Sequence, residues 1–344
     1  DVYEGEYVKG KRQGYGIYRF PDGEKYEGEW FQDQQHGRGV YYFMNNNKYD
    51  GLWYRDFQQG EGTMYYYNGD VYKGNWNEDK REGYGEYLYA NGASYRGEWS
   101  DDQKNGKGIF DWNDGSWYDG MWKDNLRNGK GTFNYADGDR YTGEWMDDVQ
   151  HGKGVYKFHN GDQYEGDYVQ GERTGSGIFT FANGNKYVGE FKNGMANGAG
   201  TYYRDGIKTE GYWYNSTLLQ YIEYYDDGTK RIYSAPDEAG GRSVRNVAPD
   251  GSYLVYYVDT LNRFQGNLSS YSKDGVLLES MFFDDNFCKE CITYKSGIIT
   301  TKEVFRNVGG VNVIEEIINY REGKPYLKRI FNDKRKLVKT IKIK

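Results

Sequence analysis

From Tyr3 onward, aromatic and polar residues alternate along the chain, and glycine interrupts the alternation at fixed places. Tyrosine stands at 3, 26, 49, 72, 95, 118, 141, 164 and 187, a spacing of 23 residues. Two residues after each comes glycine, and two further on an aromatic ring: Tyr7, Trp30, Trp53, Trp76, Trp99, Trp122, Trp145, Tyr168 and Phe191. Residues two apart on a strand share a face, so the first run of each unit predicts a strand with rings and glycine on one side. A Gly-x-Gly pair at the twelfth and fourteenth positions, from Gly14 and Gly16 to Gly198 and Gly200, opens a second strand of the same kind. The intervening positions carry Glu6, Glu29, Glu98 and Glu144 in the first strand and Ile17, Val40, Ile109 and Val155 in the second. That composition suits a mainly solvated reverse face.

The units are joined by tight-turn dipeptides such as Asp22-Gly23, Asn68-Gly69, Asn91-Gly92 and Asp114-Gly115. Unit two departs from this with Asn45-Asn46-Asn47, and asparagine also tolerates a left-handed backbone. The predicted fold is therefore all-β: an elongated, single-layer antiparallel sheet, a solenoid of 23-residue hairpins. Glycine inside a strand marks close approach of another group, and the expectation is that each leaves space for a neighbouring repeat's ring.

The pattern Y-x-G-x-W, G-x-G-x-aromatic-x-aromatic, [DN]-G resembles the MORN (membrane occupation and recognition nexus) repeat over residues 3–208. The resemblance implies one hairpin per repeat in a single-layer sheet. It also implies cytoskeletal settings: cilia, flagella, basal or apical complexes, and division rings. The expected organisation is nine regular repeats in 1–208, a degenerate tenth in 209–231, and divergent hairpins or a C-terminal β region with a basic tail in 232–344. The tenth unit keeps Gly211 and Trp213 but puts Gln220 and Ile222 where the glycine pair should stand. Residues 235–241 have the composition of a linker.

Composition removes one competing reading. Only 37% of the chain is hydrophobic and 28% is charged, values that suit a disordered chain, yet 19% is aromatic, and disordered chains are poor in rings. An ordered structure must be burying them. No apolar run reaches the ~18 residues that would suggest a membrane helix. Two cysteines give no sign of a disulfide framework, and the expected compartment is reducing and cytoplasmic.

Candidate chemistry is sparse. Cys288 and Cys291 have CxxC spacing, but zinc needs four ligands and no second pair lies near, so they read as reduced thiols. His36 and His151 share one repeat position, and His159 lies beside a turn. The Gly-x-Gly pairs precede strands rather than helices and lack the rest of a nucleotide fingerprint. Acidic pairs such as Asp101-Asp102 and Asp147-Asp148 read as solvated turns. No nucleophile–base set can be assembled. The expectation is a protein without enzymatic activity, cofactor or metal.

Charge shapes the choice of partner. Residues 321–344 carry ten basic side chains against Glu322 and Asp333, which leaves 35 basic against 50 acidic over residues 1–320. An acidic array repels nucleic acid and anionic headgroups. The expected partner is a protein, through a basic or amphipathic helix or an extended segment, held by the rings Tyr26, Trp30, Tyr49, Trp53, Tyr72, Trp76, Tyr95, Trp99, Tyr118, Trp122, Tyr141 and Trp145. Such a scaffold would sit in a cytoskeletal assembly, at a cilium, flagellum or cortical structure. The alternative is membrane binding through the tail alone, with Lys334, Arg335, Lys336, Lys339, Lys342 and Lys344 meeting phosphoinositides. A basic last strand that merely protects a sheet edge is the competing structural role.

Overall fold

A computed structural model describes residues 1–343, and among them are thirty strands, β1 to β30, and no helix. Contacts divide the chain into two compact units, residues 1–182 and residues from 183 onward. The first runs from β1 (Val2–Val8) and β2 (Lys11–Arg19) to β16 (Glu172–Thr180), each strand antiparallel to the next. The second runs likewise from β17 (Lys186–Lys192) to β29 (Lys324–Phe331) and β30 (Leu337–Lys342). Each unit is an open antiparallel sheet.

The repeat at 95–117 shows why the sequence folds this way. Its strands are β9 (Ser94–Ser100) and β10 (Gln103–Asp111). Asp101 and Asp102 both take positive φ, 50° and 65°, which gives the mirror-image turn whose twist matches paired strands. A register shift on β10 between Lys104 and Gly108 marks a bulge, and Gly106 supplies its φ of 96°. The bulge restores Gly97 opposite Gly108. The two glycines then form a floor on which the ring of Tyr95 lies.

Tyr95 is 0% exposed, and its Oη donates to the carbonyl of Glu98 at 2.9 Å. A Cβ on Gly108 would fall 2.3 Å from that oxygen, so the glycine is required by the tyrosine of its own repeat. This corrects the expectation that the space serves a neighbouring repeat's ring. The neighbour is met by the next ring along: Trp99 packs edge-on against Tyr95 at 5.2 Å and against Tyr72 of the preceding repeat at 5.4 Å. Its Nε1 donates to the Gly85 carbonyl at 3.3 Å. Burying one such ring contributes roughly 1.5–3 kcal/mol, and an aromatic pair adds about 0.5–1.5. Columns of tyrosine and tryptophan therefore dominate the cohesion of the first unit.

The turns hold repeats together as well. Asp33, Asp56, Asp79, Asp102, Asn125 and Asp148 accept from the backbone N–H of Arg12, Gln35, Gln58, Arg81, Lys104 and Arg127, one repeat earlier, at 2.7–3.0 Å. The acidic pairs are thus not simply solvated turns. Their second member accepts from a backbone donor on the adjacent hairpin and so ties neighbouring repeats together.

In the second unit, Tyr187 and Trp213 keep the edge-on contact at 5.1 Å, but beyond Trp213 the glycine floor is gone. Tyr221 and Tyr233 instead stack face to face at 4.2 Å, as do Tyr253 and Tyr271 at 4.8 Å. Aliphatic Val244, Val258 and Val313 take over as buried residues. Residues 234–241 form a hairpin connection between β21 (Lys230–Tyr233) and β22 (Arg242–Val247). Asp237 organises it by accepting from the N–H groups of Ala239 and Gly241 and from the Tyr257 hydroxyl.

Candidate partner-docking face

The structure separates the twelve rings expected to hold a partner into two classes. Tyr26, Tyr49, Tyr72, Tyr95, Tyr118 and Tyr141 are all 0% exposed, and burial pushes the pKa of each hydroxyl well up. They offer no surface to a partner, because a ring lying flat on two glycines is roofed by the next repeat's indole. Trp30, Trp53, Trp76, Trp99, Trp122 and Trp145 are 4–6% exposed and form the floor of the ring face. Their Nε1 donors are already committed to glycine carbonyls.

The accessible rings come from the end of the second strand, which the sequence reading placed on the correct face but did not select. Phe20, Phe43, Tyr66, Tyr89, Trp112 and Tyr135 are all half-buried. In the first two repeats they alternate with Tyr18 and Tyr41 in a zigzag: Tyr18 to Phe20 at 4.6 Å, Phe20 to Tyr41 at 5.7 Å, Tyr41 to Phe43 at 4.6 Å. The usable signal was the absence of glycine. A ring flanked by other rings has no floor to lie on, so it stands and stays only half-buried.

Charged groups border these rings. Arg12 lies over Trp30 at 4.1 Å, Arg81 over Trp99 at 4.3 Å, Lys104 over Trp122 at 4.5 Å and Arg127 over Trp145 at 4.4 Å. Each arginine also pairs with the turn aspartate of the following repeat: Arg12 with Asp33, Arg81 with Asp102, Arg127 with Asp148. Lys104 faces Asn125 instead, and burial among Tyr95, Phe110 and Trp122 lowers its pKa to about 8. Between Arg12 and Arg81 runs a groove of about 850 Å³. Its lining includes Phe20, Phe43 and Tyr66, with Trp53 and Trp76 below and Asp56 and Asp79 at the side.

A family model described as MORN repeat matches nine consecutive segments, 3–25, 26–48, 49–71, 72–94, 95–117, 118–140, 141–163, 164–186 and 187–208. The tyrosine–glycine–indole column is the physical content of that match. The chain belongs to the MORN repeat family. MORN repeats are in general a non-enzymatic module, found in protein-interaction or membrane-associated repeat proteins. Comparison with curated proteins returned no match. Among solved structures, a streptogramin B lyase is 13% identical over 85% of this chain and 94% of its own, with a TM-score of 0.14.

Outside the MORN groove, the side chains with latent chemistry are already engaged. Cys288 and Cys291 are buried and unpaired, and their Sγ atoms donate to the Glu290 carbonyl and to Glu279 Oε1. Burial, then the Glu279 carboxylate, pushes the Cys291 thiol up to about 12, so it stays protonated. Asp137, Asp139 and His159 cluster within 4.8 Å, but Asp139 is occupied by the Tyr156 hydroxyl and by the backbone N–H and ring Nδ1 of His159.

The tail residues fall into two places. Lys334, Arg335 and Lys336 form the turn between β29 and β30, held by the Asn332 carboxamide, and Lys339 and Lys342 are exposed on β30 itself. Lys344 lies outside the described residues. Among the described residues β30 pairs only with β29, which leaves its outer backbone edge open beside exposed Leu337 and Val338. Lysine on such an edge opposes strand addition. Changing Lys339, Lys342 and Lys344 to serine is expected to produce dimers or aggregates in light scattering, with vesicle binding weak in both proteins. Tight, phosphoinositide-selective vesicle binding that vanishes with Lys334→Ala, Arg335→Ala and Lys336→Ala would instead make the tail a membrane site.

Proposed function

We propose that this chain is a non-catalytic scaffold whose first unit docks a segment of a partner protein on its ring face, within a cytoplasmic cytoskeletal assembly such as a cilium, flagellum or cortical structure. The observation that carries this is the row of half-buried rings Phe20, Phe43 and Tyr66 beside the carboxylates of the groove. Standing aromatic side chains give large contact area with little side-chain entropy to lose, and they dominate interface energetics wherever they recur. The acidic border favours a basic partner. The generally non-enzymatic character of MORN repeats supports the non-catalytic part of this reading.

Phe43→Ala together with Tyr66→Ala tests the reading, because neither ring belongs to the tyrosine–indole column. Partner capture from cell extract is expected to fall at least tenfold while the thermal melt of the chain moves little. Retained capture would remove the ring face as the docking surface.

A further inference from the structure

The cation over the indole is present in some repeats and missing in others, and two adjacent gaps coincide with the groove. In repeats 1, 4 and 6 a guanidinium sits over a tryptophan and ion-pairs with the following turn aspartate. Repeats 2 and 3 place Gln35 and Gln58 at that position, both buried. The rest of the arrangement is retained there: Trp53 and Trp76 below, Tyr41 and Met64 beside them, and Asp56 and Asp79 clipped to the glutamine N–H groups at 2.7 Å. Neither aspartate has an ion pair among the described residues, and both are exposed. In repeat 7, where Gln150 again replaces the cation, the carboxylate is gone too, and Gly171 stands in the turn. Repeats 2 and 3 thus keep the acceptor and lose the donor.

We propose that these two repeats are a receptor for two arginine side chains of the docked partner, each guanidinium lying in the groove above the buried glutamine and pairing with the carboxylate of Asp56 or Asp79, as Arg12 and Arg81 pair internally with Asp33 and Asp102. This rests on the docking reading above. Successive repeats are two strands apart, roughly 10 Å, so the two positions lie about as far apart as residues i and i+7 of an α-helix, about 10.5 Å. The occupant is therefore an amphipathic helix with arginines at i and i+7. Apolar residues at i+3 and i+4, on the same helix face, would lie between the two cations and pack among the rings Phe43 and Tyr66 that line the groove. Arg12 and Arg81 close the site at its ends and limit it to two cations. A planar fork that packs against aromatic rings while pairing with a carboxylate is a property of arginine more than lysine.

The probe is a synthetic, otherwise neutral helical peptide with arginine at i and i+7 and leucine at i+3 and i+4, titrated into the full chain and read by fluorescence anisotropy. Replacing both peptide arginines by glutamine is expected to weaken binding at least tenfold. Gln35→Arg with Gln58→Arg fills both places from within and is expected to weaken binding by a similar factor. Asp56→Asn with Asp79→Asn is expected to do the same while keeping the backbone clips, as Asn125 does naturally for Lys104. No binding of the arginine peptide, or equal binding across these variants, overturns the proposal. If cellular partner capture is then still lost with Phe43→Ala and Tyr66→Ala, the docking face stands without the cation receptor. If it is not, both readings fall.

Discussion

Tyr95→Ala is expected to lower the stability of the first unit by about 3–5 kcal/mol, as for other large rings removed from a core, and Tyr95→Phe by only about 1. The ring is 0% exposed, roofs Gly97 and Gly108, and contacts Trp99 and Trp122 edge-on at 5.2 and 5.5 Å. Alanine leaves all three surfaces facing a void, whereas phenylalanine gives up only the bond to the Glu98 carbonyl. In a repeat array each unit is stabilised by its neighbours, so the loss should appear in urea unfolding as a lower midpoint for repeats on both sides. The same burial sets an alkaline limit. The folded pKa of the buried phenols is raised above the ordinary 10.0, so their stabilisation is complete below pH 10 and is lost as pH climbs through the folded value. Their ionisation, followed by absorbance, should therefore coincide with loss of the β-sheet signal. A Tyr95→Ala cost under about 1 kcal/mol, far below the range for buried rings, would mean the column is not the core.

Gly97→Ala should be nearly as damaging, although it adds a single methyl group. Its Cβ would lie 2.4 Å from the Gly108 Cα and 2.6 Å from the Lys107 carbonyl oxygen. Both are backbone atoms of the paired strand, and neither can retreat without opening the β9–β10 ladder. Overpacking usually costs about 1–3 kcal/mol, and here the upper end or beyond is expected. Gly23→Ala is the control. Nothing lies within 4 Å of its Cβ, and the penalty comes from its φ of 96° alone, roughly 1–2 kcal/mol. Thermal unfolding should rank Gly97→Ala well below Gly23→Ala, and the reverse order would show that turn geometry outweighs close packing.

Much of this fold was legible because few residue types can fill its positions. The 23-residue spacing of tyrosine fixes the hairpin length, and glycine two residues on marks a strand whose face is covered from above. What the pattern did not reveal was which rings lie down. Tyr26 and Phe43 share a face in the alternation, yet Tyr26 rests on Gly28 and Gly39 and vanishes from the surface, while Phe43 stands between its neighbours. The clips made by Asp56 and Asp102 were hidden for another reason. They join residues 21 apart through a left-handed turn, and an aspartate in such a turn looks the same whether or not its carboxylate reaches the adjacent hairpin. Beyond Trp213 the pattern fades because stacked tyrosines and valines replace the glycine floor, and those residues suit any β-sheet.

Photo-cross-linking in cells tests the central claim most directly, with benzoylphenylalanine placed at Phe43 on the ring face, at Val40 on the reverse face, or at Lys336 in the last turn. The account predicts that one partner protein is captured at position 43, through a segment rich in arginine and apolar residues, and is not captured at 40 or 336. Capture of that protein chiefly at position 40, or labelling of lipid at 336 with nothing at 43, would contradict it.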